Sequence, residues 1–172
     1  MKRLILSVVI IYCAMPVFAS LYDAQQLDAI YENERAGLNF YESGDYRSAF
    51  GILSKTAAQG MKRSQYILGF MFMKGEGVDK NVLFGLAWLG LSTEADNDDW
   101  QKTYDSLYNA LSNAQKSMLD EKIVEYRGKF GASAQGITCA RAAVVGSRRQ
   151  DIICRKSEGS YEEYEIELPI RQ

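Results

Sequence analysis

The fold is decided by residues 57–95, AAQGMKRSQYILGFMFMKGEGVDKNVLFGLAWLGLSTEA. The stretch opens with a small-residue helix end at Gly60 and continues as an apolar helix with a glycine in its middle. A turn bracketed by Gly75 and Gly77 then leads into a second apolar helix that contains Trp88. Neither helix can bury its apolar face alone, so the pattern predicts a helix–turn–helix unit that stacks on copies of itself.

The residues before this stretch repeat it. Moving the preceding helix pair forward by 36 residues places Asp45 on Asn81 and Leu53 on Leu89. Self-similarity at such a period predicts a helical solenoid, in which each helix pair stacks on its neighbour. Small residues such as Gly69 are expected where two helices cross closely. After residue 95 a third and more charged pair is expected to act as a terminal cap.

The motif residues identify a family resemblance. The stretch resembles a Sel-1-like repeat, which combines a leucine–glycine helix, a G-x-G-V turn and a second helix with a tryptophan. The matching residues are Gly60, Leu68, Gly69, Gly75, Gly77, Val78 and Trp88. The match is best over residues 61–96, whereas residues 36–60 look more like a tetratricopeptide unit. The resemblance implies right-handed stacked helix pairs and a role in holding other proteins together, and it implies no catalytic residues.

Composition excludes several functional classes. The chain has 172 residues, which is room for one ordinary domain, and it contains no histidine. Without an imidazole, serine–histidine and cysteine–histidine catalysis and the commonest zinc sites are absent, and no cofactor is expected. The formal net charge of −2 gives no global reason to bind nucleic acid. The acidic run at residues 96–99 is interpreted as a helix cap rather than a calcium loop.

Residues 1–19, MKRLILSVVIIYCAMPVFA, have the order of a secretory signal peptide. A basic start and an apolar core precede a small-x-small site, and cleavage is expected before Ser20. The alternative is a membrane anchor, but a span needs about 20 apolar residues, and Pro16 interrupts this shorter run. We therefore expect an exported protein without a stable membrane anchor, with the periplasm as its location and secretion as the alternative.

The expected export determines how many cysteines the mature chain retains and whether they are oxidised. Removing the leader leaves two of them, Cys139 and Cys154, and an even count in an oxidising compartment favours a disulfide. A redox-active pair is the alternative. It is disfavoured because the spacing is long and there is no C-x-x-C motif to depress a thiol pKa.

Residues 132–172 differ in character from the helical repeat domain expected at residues 20–131. Short β-branched runs around the two cysteines flank a turn at residues 146–151, which predicts a hairpin. Tyr164, Ile166 and Leu168 alternate with glutamates and predict a further half-buried strand. The alternative is an ordered loop laid on the last helix pair. The expected fold class is thus mostly α, a short solenoid with a small disulfide-linked β-rich appendage.

Partner contacts are predicted from aromatic and basic residues. Tyr66, Phe70 and Tyr104 could line the concave face of a solenoid, although most aromatics in such helices belong to the core. Arg148 and Arg149 could grip an anion or a carboxylate, although a solvated turn is the plainer interpretation. The chain has no S-x-x-K, G-x-S-x-G or phosphate-loop motif. We therefore predict a protein- or peptide-binding adaptor or scaffold. The alternative is a cell-wall or β-lactam-acting enzyme, by analogy with secreted relatives of the repeat family.

Overall fold

The computed structural model of the protein describes residues 24–143, 150–157 and 166. These residues form helices and one antiparallel hairpin. The helices are α1 (24–42), α2 (Tyr46–Ala58), α3 (Lys62–Lys74), α4 (Val82–Ser92), α5 (Asp98–Asn109) and α6 (Asn113–Phe130), and the strands are β1 (Ile137–Ala143) and β2 (Gln150–Lys156). A short 3₁₀ turn, Thr93–Ala95, follows α4. Helices thus dominate the described chain, as the sequence predicts.

The 36-residue period reappears in the helix caps. The Asp45 side chain accepts a hydrogen bond from the backbone N–H of Ser48 at the start of α2. At the equivalent place in the next pair, the Asn81 side chain accepts one from the N–H of Phe84. Each cap satisfies a backbone donor that has no partner inside its helix. The two pairs therefore begin their second helices in the same way.

The two pairs also share one close contact. A Cβ built on Gly37 in α1 would lie 2.7 Å from Cδ2 of Leu53 in α2, and one on Gly69 in α3 would lie 2.6 Å from Cγ of Leu89 in α4. The leucines are 36 residues apart and the glycines 32. The difference of four residues lies in the longer turn between α3 and α4, so the same glycine–leucine contact recurs in both pairs despite the extra length.

The main core joins the repeat to the terminal pair. Trp88 of α4 is fully buried, and its ring centroid lies 5.0 Å from that of Tyr126 and 5.1 Å from that of Phe130 in α6. Ser112 and Gln115 form a capping box at the start of α6. Trp88 therefore packs between the repeat and the cap, where a large ring fills the space between helices.

The C-terminal hairpin confirms the predicted disulfide. Residues Cys139 and Cys154 face each other across the two strands, and their sulfur atoms are bonded. Beneath the hairpin, Ile137 forms a small cluster with Ile30 of α1 and Met61 at the start of α3. The hairpin is thus seated on the first two helix pairs.

Three sequence expectations need adjustment. β2 begins at Gln150, so residues 150 and 151 of the predicted turn at 146–151 belong to the strand. Helix α2 is capped at Gln59, and Gly60 follows with a φ of +87°, which favours glycine. Ile166 has no strand conformation, so a strand through that residue is wrong; its side chain instead packs half-buried against the main core.

Several predictions lie outside the described residues. These are the leader at 1–19, the arginines Arg148 and Arg149, and the flanks of Ile166 at 158–165 and 167–172. Over the part of the chain that the structure describes, no helix is both long and apolar enough to cross a membrane.

Candidate functional site

A groove of about 570 Å³ lies between the hairpin and the first helices of the three pairs. We call it the hairpin groove. It is lined by Leu27, Tyr31 and Glu34 of α1, residues 61–63 at the start of α3, Trp100 of α5 and residues 151–156 of β2. Clefts that combine apolar walls with a few polar groups are the usual form of binding sites. The repeat alone does not form this groove, because the hairpin supplies one wall.

One edge of β2 faces this groove. Ser157 donates its N–H to the carbonyl of Gly136, which marks these opposed residues as a hydrogen-bonded pair. Every second residue of β2 then directs its backbone N–H and C=O away from β1. The Lys156 N–H fits this pattern, since it donates to the hydroxyl of Tyr31 in α1 at 2.8 Å. Cys154 and Ile152 have the same orientation, and both line the groove.

A buried ion pair supports the groove from below. Lys62 is 1% exposed, and its Nζ lies 2.8 Å from a carboxylate oxygen of Glu94. Glu94 also accepts hydrogen bonds from Arg127 and from the backbone N–H of Ala132. Burial lowers the pKa of Lys62, and Glu94 opposes that shift. Burial alone would raise the pKa of Glu94, but these partners outweigh it and hold the value below its ordinary range.

Glu34 places a second carboxylate at the groove wall. It accepts hydrogen bonds from the backbone N–H of Ser64 at 3.2 Å and from its hydroxyl at 3.0 Å. Thr56 in turn donates to the Ser64 hydroxyl at 2.8 Å. Burial raises the pKa of Glu34, although the hydrogen bonds from Ser64 act in the other direction. This chain of contacts joins α1, α2 and α3 behind the groove.

Lys156 fixes the end of β2. It is 4% exposed, and its ammonium donates to the carbonyl of Gln59 and to the backbone and side-chain oxygens of Gln135. Burial lowers the pKa of Lys156 to about 8. The position of the hairpin against the α2–α3 turn therefore depends on a cation held by amide oxygens.

The aromatic residues predicted to contact a partner lie in two separate regions of the structure. Tyr66 stacks on Trp100, with ring centroids 4.6 Å apart, and its edge meets Phe70 at 5.1 Å. Tyr66 and Phe70 thus continue from the groove wall along α3. Tyr104 lies instead beside Tyr108 and Gly90, away from the groove lining. Burial raises the pKa of Tyr104 to about 12.

Sequence reasoning missed most of the groove. Trp100 lies on an apolar helical stripe, which is equally typical of a core residue, while Tyr31, Ile153 and Arg155 belong to no motif. The alternation of side chains along β2 contained one indication of a binding surface. Ile153 is apolar, although it alternates in register with the charged residues Asp151 and Arg155. In the structure Ile153 is 44% exposed.

The acidic run before α5 forms a cap and an ion pair. Asn97 accepts hydrogen bonds from the N–H groups of Asp99 and Trp100, and Asp98 lies 3.0 Å from Arg141 of β1. Within residues 24–143, 150–157 and 166, no group of three or more cysteine or acidic side chains could hold a metal ion. The run therefore attaches the hairpin to α5.

Comparison with solved structures supports the fold. The chain is similar to the crystal structure of a protective antigen present in uropathogenic Escherichia coli strains, which displays an SLR fold. The two share 21% sequence identity with a TM-score of 0.52, over 67% of this chain and 27% of that chain. This chain thus matches about a quarter of the length of that protein, and at this identity the likeness shows the fold alone. No protein-family model matches the sequence, and neither does any curated protein.

The fold is therefore that of stacked Sel-1-like helix pairs, completed by a disulfide-linked hairpin. Stacked repeats of this kind form extended concave surfaces. The hairpin adds to the stacked pairs a strand edge that faces their first helices.

Proposed function

We propose that the protein is an exported adaptor that binds a protein or peptide partner in the hairpin groove. The observation that carries the proposal is the groove itself, which has apolar side chains from three helices on one wall and a strand edge on the other. Its volume of about 570 Å³ suits a short peptide segment better than a globular surface.

Further contacts extend the proposed site along α3. Tyr66 joins the groove wall through its stack on Trp100, and Phe70 follows one helical turn later. Aromatic side chains of this kind supply large contact areas at interfaces. Arg148 and Arg149 are proposed as outer contacts for carboxylates of the partner, because they follow β1 in the sequence.

The disulfide and the sequence of residues 1–19 support export. Disulfides persist in oxidising compartments, and this one joins β1 to β2, the strand that lines the groove. We place the mature protein in the periplasm, with residues 20–131 as the repeat domain and 132–172 as the appendage. The protein acts there by holding its partner, without catalysis of its own.

Site-specific photo-crosslinking tests the proposal. A photoreactive amino acid replaces Leu27 or Ile153 in the groove, and Val124 of α6, which is 68% exposed, serves as the matched surface control. Crosslinking is carried out in the envelope of the producing cell. We expect discrete protein adducts from positions 27 and 153 and none from position 124. Adducts of equal pattern at all three positions, or none in the groove, would overturn the proposal.

A further inference from the structure

We propose that the partner segment binds as an added β-strand on the outer edge of β2, and that it alternates apolar and acidic residues. This inference rests on the proposed function and specifies the partner's chemistry. β-strand addition uses main-chain hydrogen bonds for affinity and alternate side-chain contacts for specificity. Each requirement has a counterpart in the hairpin groove.

The backbone requirement is met along β2. The N–H and C=O groups of Cys154 and the C=O of Ile152 point away from β1 into the groove. Among the described residues, the outward N–H of Ile152 is taken by the side chain of Asp151. The Tyr31 hydroxyl, which accepts from the N–H of Lys156, occupies the place that a carbonyl of an added strand would take. An added strand would therefore start beside Tyr31 and pair with Cys154.

The side-chain requirement follows from the two faces of β2. The inward face of an added strand would lie against Leu27 and Trp100, which favours apolar side chains. Its outward face would stand beside Ile153 and Arg155, both of which are exposed. An acidic residue opposite or diagonal to Arg155 would form a cross-strand ion pair. A segment of alternating apolar and acidic residues satisfies both faces.

The charge of the hairpin groove also favours an acidic partner. Among the described residues of the lining, the exposed charged side chains are Arg63, Arg155 and Asp151, two cations against one carboxylate. The buried cations do not enter this count, because Lys62 pairs with Glu94 and the ammonium of Lys156 is held by oxygens of Gln59 and Gln135. The chain as a whole has a net charge of −2. A locally basic groove in an acidic protein selects an acidic partner through complementarity.

Binding of designed peptides to the full-length mature protein tests the strand model. The probe is an end-blocked, fluorescent octapeptide of alternating valine and glutamate, and the control has lysine in place of glutamate. We expect the glutamate peptide to bind at least tenfold more tightly than the lysine peptide. Arg155→Glu should reverse or abolish this preference, whereas Lys80→Glu, the same charge change in the exposed α3–α4 turn, should leave it intact. Equal binding of both peptides would overturn the acidic specificity.

Backbone methylation isolates the main-chain bonds. Two further glutamate peptides carry N-methyl groups on alternate amides, one on the odd and one on the even positions. Alternate amides of a strand point to opposite edges, and only one edge of the added strand pairs with β2. One methylated peptide should therefore lose at least tenfold in affinity, while the affinity of the other should change less than threefold. The Cys154 amide should exchange its hydrogen at least tenfold more slowly in the complex. Equal losses, or no change at Cys154, would overturn strand addition while leaving groove crosslinks, and hence the proposed function, in place.

A deletion variant addresses a competing occupant. Residues 162–168, EEYEIEL, themselves alternate acidic and apolar side chains. If the variant lacking residues 158–172 binds the glutamate peptide with the affinity of the full chain, the groove serves a partner. A gain of more than tenfold would show that the chain's own segment fills the groove, and would overturn a partner as its occupant.

Discussion

Two glycines inside helices illustrate how differently single residues contribute to this fold. A Cβ at Gly69 would lie 2.6 Å from Leu89 and 2.9 Å from the backbone oxygen of Gly85, whereas a Cβ at Gly51 would meet nothing within 4 Å. We expect Gly69→Ala to lower the free energy of unfolding by about 1–3 kcal/mol through overpacking. Gly51→Ala should raise it by about 0.5–1 kcal/mol. Urea denaturation measures both, and equal effects of the two would contradict the close crossing.

Glu94 is expected to be the carboxylate beneath the groove on which stability depends most. Glu94→Gln would leave the Lys62 ammonium, whose side chain is fully buried, without its counter-charge. Leaving a buried charge unpaired costs about 3–5 kcal/mol, so the variant should unfold at a much lower urea concentration. Glu125→Gln, which disrupts an exposed ion pair with Lys122, is the matched control and should cost less than about 1 kcal/mol. Restored stability in Lys62→Met/Glu94→Gln would confirm that the unpaired cation is the cause.

Lys156 should make stability depend on pH in the alkaline range. The folded chain holds its pKa at about 8, below the ordinary value of 10.5. Between these values the unfolded chain binds more protons than the folded chain, so stability rises with pH. The unfolding free energy of the wild type, minus that of Lys156→Met, should therefore increase from pH 8 to pH 10, by at most about 1.4 kcal/mol per pH unit. A constant difference, measured by urea denaturation at each pH, would contradict the lowered pKa of Lys156.

At the scale of elements, the hairpin depends on its disulfide. Cys139 and Cys154 are separated by 15 residues, and closing a loop of that length stabilises a fold by about 3 kcal/mol in the chain-entropy model. The double variant Cys139→Ser/Cys154→Ser should lose about 2–4 kcal/mol. Far-UV circular dichroism should keep its helical signal, because the repeat has its own core. A loss of helicity would show that the repeat cannot fold without the closed hairpin.

The sequence predicts the helices well because their signals are local. The caps at Asp45, Asn81 and Ser112 and the Gly75 turn lie within a few residues of the ends they determine. The hairpin groove could not be predicted in this way. It depends on β2 meeting α1, where Tyr31 and Lys156 are 125 residues apart. No local pattern encodes that contact, and the apolar character of Trp100 fits a core residue equally well.

At the scale of the whole molecule, Tyr31 couples the first helix to the last strand. In Tyr31→Phe the outward N–H of Lys156 loses its acceptor, a change that costs about 1 kcal/mol. We expect faster hydrogen exchange in β2 and unchanged exchange in α4, whose residues lie in the separate main core. Uniformly faster exchange would instead indicate that hairpin and repeat unfold as one unit. Tyr31→Phe keeps the ring, so comparison with Tyr31→Leu, which removes both ring and hydroxyl, separates lost packing from the lost hydrogen bond.

The hairpin touches every helix pair, with Tyr31 in the first, Gln59 at the junction with the second and Asp98 in the third. A further pair inserted into the stack would move these anchors apart by a helix diameter, about 10 Å. The hairpin thus fixes how many helix pairs can lie between its anchors in α1 and α5, whereas most repeat arrays can grow at any position. Evolutionary change in length should then be confined to the turns, where the second pair already carries four residues more than the first.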